Sequence, residues 1–369
     1  MEALGHGHGL NVVTQRRLAG FADAWDSLVD ASPLPSPFLR SWWLEATAGS
    51  WPDFLLVMDG QTLVGGLALQ RERRWPVPWY RFMGAGPLCP DHLDLLATPG
   101  REAEVVAALG DWLRRRGSRV LDLEGVTSGG SILAALPTPV RSEVVDVAPW
   151  APLPPRFDDW LAERPRGFRT TVRKASRRLG EQGAVWRVVP ADSLDASLAT
   201  LRQLHGAQWG RRSHFLAGFD EFIAASRAGV AREELLFHEL SVAGSAVACV
   251  TSFEVAGRVS LYQSGRATEH RWRSATTALL VIVIEDACRR GFAEVDLLRG
   301  GEPYKRNFAD DLREILRVRA ANGRAGRLAL TGLTGVERAR RLVGHLLRRA
   351  RTAQPFRLPL PSLTRRRRP

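Results

Sequence analysis

Glu302, Tyr304 and Lys305 bring a carboxylate, a phenol and an ammonium together in one short segment, a set able to accept a proton, donate one and bind an anion. Among 52 basic residues only Lys174 and Lys305 are lysine. Lysine differs from arginine where a compact charge or a movable pKa is wanted, so both positions are places to look for chemistry. Tyr304 is one of only three tyrosines. Lys174 belongs to a second charged group, in which Arg169, Arg173 and Arg177 recur at four-residue spacing with Arg178 beside them. Like charges stacked on one helix face favour a bound anion or carboxylate; a solvated arginine-rich surface is the plainer reading, and it stays open.

Several other chemistries lack their motifs. There is no Gly-x-Ser-x-Gly elbow, Gly-Lys-Ser phosphate loop or His-Glu-x-x-His helix. Cys89, Cys249 and Cys288 are scattered and odd in number, so no metal, no disulfide framework and a cytoplasmic setting are expected. His205, His214, His238 and His270 show no pairing with Asp or Cys along the sequence and read as surface or core residues. His6 and His8 read as part of a disordered N-terminal scrap. The chain has no long apolar span and no leader pattern, so neither membrane insertion nor export is expected.

The elements that must position these residues are announced by a repeat. Arg115-Arg116-Gly117-Ser118-Arg119-Val120-Leu121-Asp122-Leu123 returns as Arg289-Arg290-Gly291-Phe292-Ala293-Glu294-Val295-Asp296-Leu297. Each copy ends a helical stretch and begins a strand. Each also follows a hairpin pattern turning on a glycine, Phe54 to Gln70 around Gly60 and Leu235 to Phe253 around Gly244. A period this long means a duplicated α/β domain and not a stacked array.

Helical spacing predicts helices within 18–46, up to Gly117, and over 166–181, 194–209, 219–228 and 275–290. Ala148 to Pro155 reads as a stiff proline-rich linker, which divides the chain into units 1–150 and 151–330 and a tail 331–369.

The net charge of +13 is local: residues 336–369 carry 11 Arg and one Glu, and 164–187 carry seven Arg, Lys174 and Glu181. Those two segments exceed the total, so the remainder is slightly acidic and a general nucleic-acid-coating surface is disfavoured. The tail sets Val336, Leu342, Val343, Leu346, Leu347 and Ala350 in one apolar stripe among arginines, suited to docking on the domain or to peripheral contact with an anionic membrane.

Trp25, Leu28, Phe38 and Trp42, the basic run Arg169 to Leu179, and above all Arg290-Gly291, Asp296, Gly300 and Tyr304-Lys305 resemble the CelD-type (BioF-like) acetyltransferase family, a branch of the GNAT N-acyltransferase superfamily. The resemblance spans nearly the whole chain. It implies an α/β (α+β) fold of two tandem GNAT-like domains, as in Fem-type transferases, each a mixed, mostly antiparallel sheet flanked by helices. It also implies an acyl-CoA co-substrate, acetyl-CoA or another, held where two parallel strands splay apart, with pyrophosphate at the start of the following helix. The matching place is Arg271-Trp272-Arg273-Ser274-Ala275-Thr276; no glycine lies between Gly265 and Gly291, so small side chains stand in.

For such an acyl transfer Tyr304 is the first candidate for general acid to the departing thiolate, a packed and hydrogen-bonded tyrosine being the alternative, and Glu302 is the candidate base for the incoming amine. Gln263, Lys305, Arg173 and Lys174 are candidates for substrate binding. The first half has no basic residue before Thr98-Pro99-Gly100 and no Tyr-Lys pair, and reads as a non-catalytic partner. Asp296 recurs there as Asp122, so both are expected to be structural, satisfying backbone N–H groups at a strand end. The expected acceptor is a small-molecule or saccharide amine, such as an amino sugar of cell-surface polysaccharide. A Fem-like transferase using aminoacyl-tRNA and a non-catalytic anion-binding scaffold are the alternatives.

Overall fold

The alternating segments fold back on themselves at glycines that take up left-handed backbone, Gly60 (φ +58°) and Gly244 (φ +76°) among them. A side chain there would be strained. The computed structural model describes residues 9–74, 77–115, 117–333 and 335. His6, His8 and the amphipathic tail from 336 onward lie outside the described residues.

The first half runs β1 (Asn11–Gln15), α1 (Ala22–Asp30), α2 (Ser41–Thr47), β2 (Pro52–Asp59), β3 (Thr62–Arg73), β4 (Pro78–Phe82), β5 (Leu96–Ala97), α3 (Glu102–Arg115), β6 (Arg119–Thr127), α4 (Ile132–Ala135) and β7 (Arg141–Pro152). Two helices, α5 (Phe157–Glu163) and α6 (Arg166–Glu181), then lead into the second half. There β8 (Val185–Val188), α7 (Leu194–Trp209), α8 (Phe219–Ala231), β9 (Leu235–Val242), β10 (Ser245–Val255), β11 (Arg258–Arg266), α9 (Ala275–Arg289), β12 (Glu294–Asp296) and β13 (Asp311–Asn322) repeat the order of the first. The expected duplication is therefore present from β1 and β8 onward.

The strands form one sheet in the order β1-β2-β3-β4-β6-β13-β7-β12-β11-β10-β9-β8, with β5 beside β3. Read from either end, this order has the same architecture. Two neighbouring pairs are parallel, β4 with β6 and β11 with β12, one in each half; the other neighbours are antiparallel. At the centre each half gives its last strand to the other: β7 pairs with β12, and β13 pairs with β6. The proline-rich stretch expected to be a stiff extended linker between domains is extended, but Ala148 to Pro152 lies within β7, between β12 and β13. Its prolines are tolerated because Pro149 and Pro152 keep their carbonyls for the ladder, and Pro149 accepts from Leu297 N–H at 2.8 Å.

Two large cores follow from this arrangement, beside a small cluster of Val77, Trp79, Val120, Ala321 and Leu330. One packs α1 and α2 with α7, α8 and the hairpins of both halves, through Phe38, Trp42, Trp43, Phe215, Phe222, Phe253 and Tyr262. The other packs α5, α6 and α9 on the second half's sheet. The tryptophans and phenylalanine near the N-terminus that carried the resemblance are thus packing residues. Trp25 and Phe38 are fully buried, and Trp42 donates to Glu234 Oε2 at 2.6 Å.

Candidate active site

The site is built where a parallel pair comes apart. β11 and β12 pair in parallel only over Arg258 to Ser260 and Glu294 to Asp296. Beyond that point β11 continues to Arg266, whereas the other chain turns away at Leu298, whose φ is +54°. The buried Asp296 carboxylate makes the turn: Oδ1 accepts the Leu298 N–H at 2.7 Å, and Oδ2 meets Arg258 at 2.9 Å, Arg313 at 3.2 Å and His92 at 2.9 Å. Burial alone would raise its pKa, but His92, Arg258 and the Leu298 N–H outweigh that and hold it well below the usual carboxylate range. The structural role expected at this strand end is what the geometry shows. The equivalent Asp122 binds Arg317 and Arg319, and β6 runs on past it to Thr127.

Between the parted strands lies a cavity of about 220 Å³, lined on one arm by Leu261, Tyr262, Gln263 and Ser264 and on the other by Leu297, Arg299, Glu302, Tyr304 and Lys305. Leu280 of α9 lies in its wall, and α7 with the loop after it closes the remaining side. Four of the expected residues, Gln263, Glu302, Tyr304 and Lys305, are therefore brought together. A register shift in β10 against β11, between Val250 and Ser252, sets Gln263 and Ser264 at the cavity; the Gln263 N–H donates to Thr251 Oγ1 at 3.1 Å.

Tyr304 is 40% exposed, and desolvation of its phenol, then the Glu302 carboxylate, push its pKa up to about 12. It therefore holds its proton at neutral pH. Lys305 differs from expectation. Its ammonium donates to the carbonyls of Arg299 at 2.6 Å and Leu298 at 3.4 Å and meets Glu302 Oε2 at 3.3 Å, so its three donors are spent holding the loop. It positions Glu302 and Tyr304 and has no donor left for a phosphate. Gly300 (φ +126°) packs against that ion pair, where a Cβ would strike both Glu302 and Lys305.

A second concavity, a groove of about 620 Å³, is lined by Thr171, Lys174, Arg177 and Arg178 of α6 together with Arg271, Arg273, Ser274 and Ala275 before and at the start of α9. This joins the basic helix to the expected phosphate loop. Ser274 caps α9 without a side-chain hydrogen bond, so the positive end of a 15-residue helix faces the groove. Four expectations are corrected here. Trp272 is a core residue, 5% exposed beneath the Arg271 guanidinium; Arg173 is exposed but lies off the groove; and Arg169 donates to the carbonyls of Ala162 and Arg164, fastening α5 to α6. Thr276 does not line the groove, and its buried Oγ1 has no hydrogen-bond partner. The cavity and the groove share α9: from Ala275 to Leu280 is about 7–8 Å along the helix axis. Among the described residues no cluster of His, Cys, Asp or Glu could hold a metal ion, and no helix is long and apolar enough to cross a membrane.

Sequence reasoning gave no site role to Arg299, His205 or Ser213, which also line the cavity. Arg299 donates to Asp91 and Glu124 from the first half, His205 of α7 is 6% exposed at the cavity wall, and Ser213 lies beside it. No local signal reveals them, because each partner is distant in sequence or belongs to a loop. Gly265 of β11 shows how tightly α7 is seated: a Cβ there would overlap the backbone of Leu204 and His205. Gly265→Ala is expected to cost about 1–3 kcal/mol in urea unfolding, the usual range for overpacking against backbone.

Comparison with known proteins agrees with this geometry. The family model described as "Acetyltransferase (GNAT) domain" matches residues 166–306, a span that contains α6, the groove, α9 and the Glu302–Lys305 segment. No curated protein matches the chain by sequence. Among solved structures, that of FemX is similar at TM-score 0.61 and 11% identity, covering 80% of this chain and 95% of that one. A conserved protein of unknown function from Bacteroides thetaiotaomicron VPI-5482 is similar at TM-score 0.52 and 11% identity, covering 84% and 99%. At such identities the likeness is one of fold. Residues 166–306 thus match the GNAT acetyltransferase domain model, and the two-half α/β fold that contains them is similar to that of FemX.

Proposed function

We propose that this protein is an acyl-CoA-dependent N-acyltransferase, with acetyl-CoA as the first donor to try, acting on an amine such as an amino sugar. One observation carries this reading: the cavity between the parted β11 and β12 holds the Tyr304 phenol, and a cationic groove opens at the start of the same helix that walls the cavity. An anionic group of the donor would sit on the backbone N–H groups of the first turn of α9, from Ala275 onward, among Lys174, Arg178, Arg271 and Arg273. The thioester end would then lie near Leu280, where Tyr304 can give its proton to the departing sulfur.

Calorimetric titration with acetyl-CoA tests the reading directly; no heat up to millimolar ligand refutes it. Lys174→Ala is expected to weaken acetyl-CoA binding by about tenfold, the loss of one charge-assisted contact, while the melting temperature stays unchanged.

A second reading, aminoacyl transfer from tRNA, draws on the solvent face of α6, where Arg173, Lys174, Arg177 and Arg178 are all exposed. Under it, tRNA is retained with steep salt dependence and CoA gives no response.

A further inference from the structure

His205 and Ser213 form an ordered pair in the cavity wall. His205 Nδ1 lies 2.8 Å from the Ser264 carbonyl oxygen, which can only accept, so the ring proton is on Nδ1. Nε2 is then an acceptor, and Ser213 Oγ, 2.7 Å away, donates to it. The Ser264 carbonyl is held in place by the shifted register of β11, and the imidazole packs edge-on against Phe215 at 5.1 Å between ring centroids. Burial holds the His205 pKa below its ordinary value, with the Ser264 hydrogen bond opposing in part.

The charged and titratable groups lining the cavity around the pair are Arg212 and His214 on its own loop, Tyr262 of β11, whose hydroxyl donates to the Leu88 carbonyl, and Arg299, Glu302, Tyr304 and Lys305 on the far arm. Arg202, on the same helix, lies over Phe219, and Arg266 of β11 donates to the Ala267 carbonyl. Glu302, the base expected from sequence, is paired with Lys305.

We propose that Ser213 and His205 are the proton relay that deprotonates the acceptor, with Ser213 Oγ touching the incoming amine and His205 Nε2 receiving the proton. The inference rests on the N-acyltransferase reading. As the amine nitrogen bonds to the thioester carbon, its N–H proton passes to Ser213 Oγ while the Ser213 proton moves to His205 Nε2. The tetrahedral intermediate collapses, the C–S bond breaks, and the thiolate takes the Tyr304 proton. The imidazolium and the tyrosinate then exchange protons with solvent, leaving amide and free thiol. The arrangement is that of a hydroxyl and base within hydrogen-bond reach, the base oriented by a third group.

The test uses the full chain with acetyl-CoA as donor and glucosamine as the probe amine. The kcat/KM of wild type is expected to fall as pH drops through a pKa below 6.5, and His205→Gln is expected to abolish that limb and lower the rate by about 10²–10⁴-fold. Ser213→Ala should lower it strongly, whereas Ser213→Thr, which keeps the hydroxyl, should restore most of it. A merely structural Ser213, capping the turn at Leu216, would leave the pH profile unchanged. An acid limb that persists in His205→Gln, or a loss of less than about threefold, overturns the proposal.

Imidazole nitrogen shifts by NMR decide independently of turnover. The Nδ1–H tautomer is expected at pH 7, and an Nε2–H tautomer or a His205 pKa at or above 6.5 overturns the relay. Acetyl-CoA calorimetry on the same variants separates the two ideas. Retained binding with an unaltered pH profile sinks only the relay, whereas absent binding in wild type sinks the N-acyltransferase reading.

Discussion

Tyr304→Phe is expected to lower kcat for acetyl transfer by about 10²–10⁴-fold while leaving acetyl-CoA affinity within about twofold, because the variant removes one proton and little volume. The residue stands on the loop that leaves β12, its ring edge-on to Phe308 at 6.5 Å between centroids, and that packing survives the substitution. The raised pKa keeps the phenol protonated through the physiological range, as an acid for a thiolate must be before the C–S bond breaks. Steady-state kinetics with calorimetry on one preparation check it. An equal rise in Kd would assign Tyr304 to donor binding, and unchanged kcat would refute its role as acid.

Asp296→Asn is expected to destabilise the fold by about 3–5 kcal/mol, the cost of removing one of the two carboxylates that neutralise Arg258 and Arg313, the other being Glu294. The carboxylate is fully buried and meets Arg258, Arg313 and His92, so an amide at the same place satisfies geometry but not charge. Since the folded-state pKa is depressed, the contribution is present above the unfolded-chain value of about 3.9 and is lost as pH falls below it toward the folded value. The stability gap between wild type and variant, read by urea unfolding, should therefore be constant from pH 7 to about 5 and narrow below about pH 4. A gap that does not change with pH would show that the charge is not what matters. Because the Leu298 turn depends on the same carboxylate, the variant should also lose turnover at temperatures where it remains folded.

Much of the second half is legible locally. The periodicity of α6 and α7 places both ends of each helix at the residues expected, and the hairpin glycines set β2–β3 and β9–β10 apart. Those features rest on contacts a few residues apart, which spacing and turn chemistry report. β7 and β13 were not legible. Their partners lie in the opposite half, and a proline-rich strand bonded on both sides looks, along the sequence, like a linker. The same limit separates Tyr304 from Lys305: both drew notice by rarity, but whether an ammonium is free or spent on carbonyls depends on how the loop closes.

The sequence by itself determined that one α/β unit occurs twice, that the second copy carries the Glu302–Lys305 segment, and that a basic helix precedes it, because repeats, composition and helical spacing are local properties of the chain. The tertiary structure alone decided that the halves exchange their final strands, that the parallel pair opens at Asp296, and that His205 meets Ser213 and Ser264 at the opening. Those outcomes depend on which buried donors find acceptors across the folded chain, a choice made by burial and hydrogen-bond satisfaction over long separations.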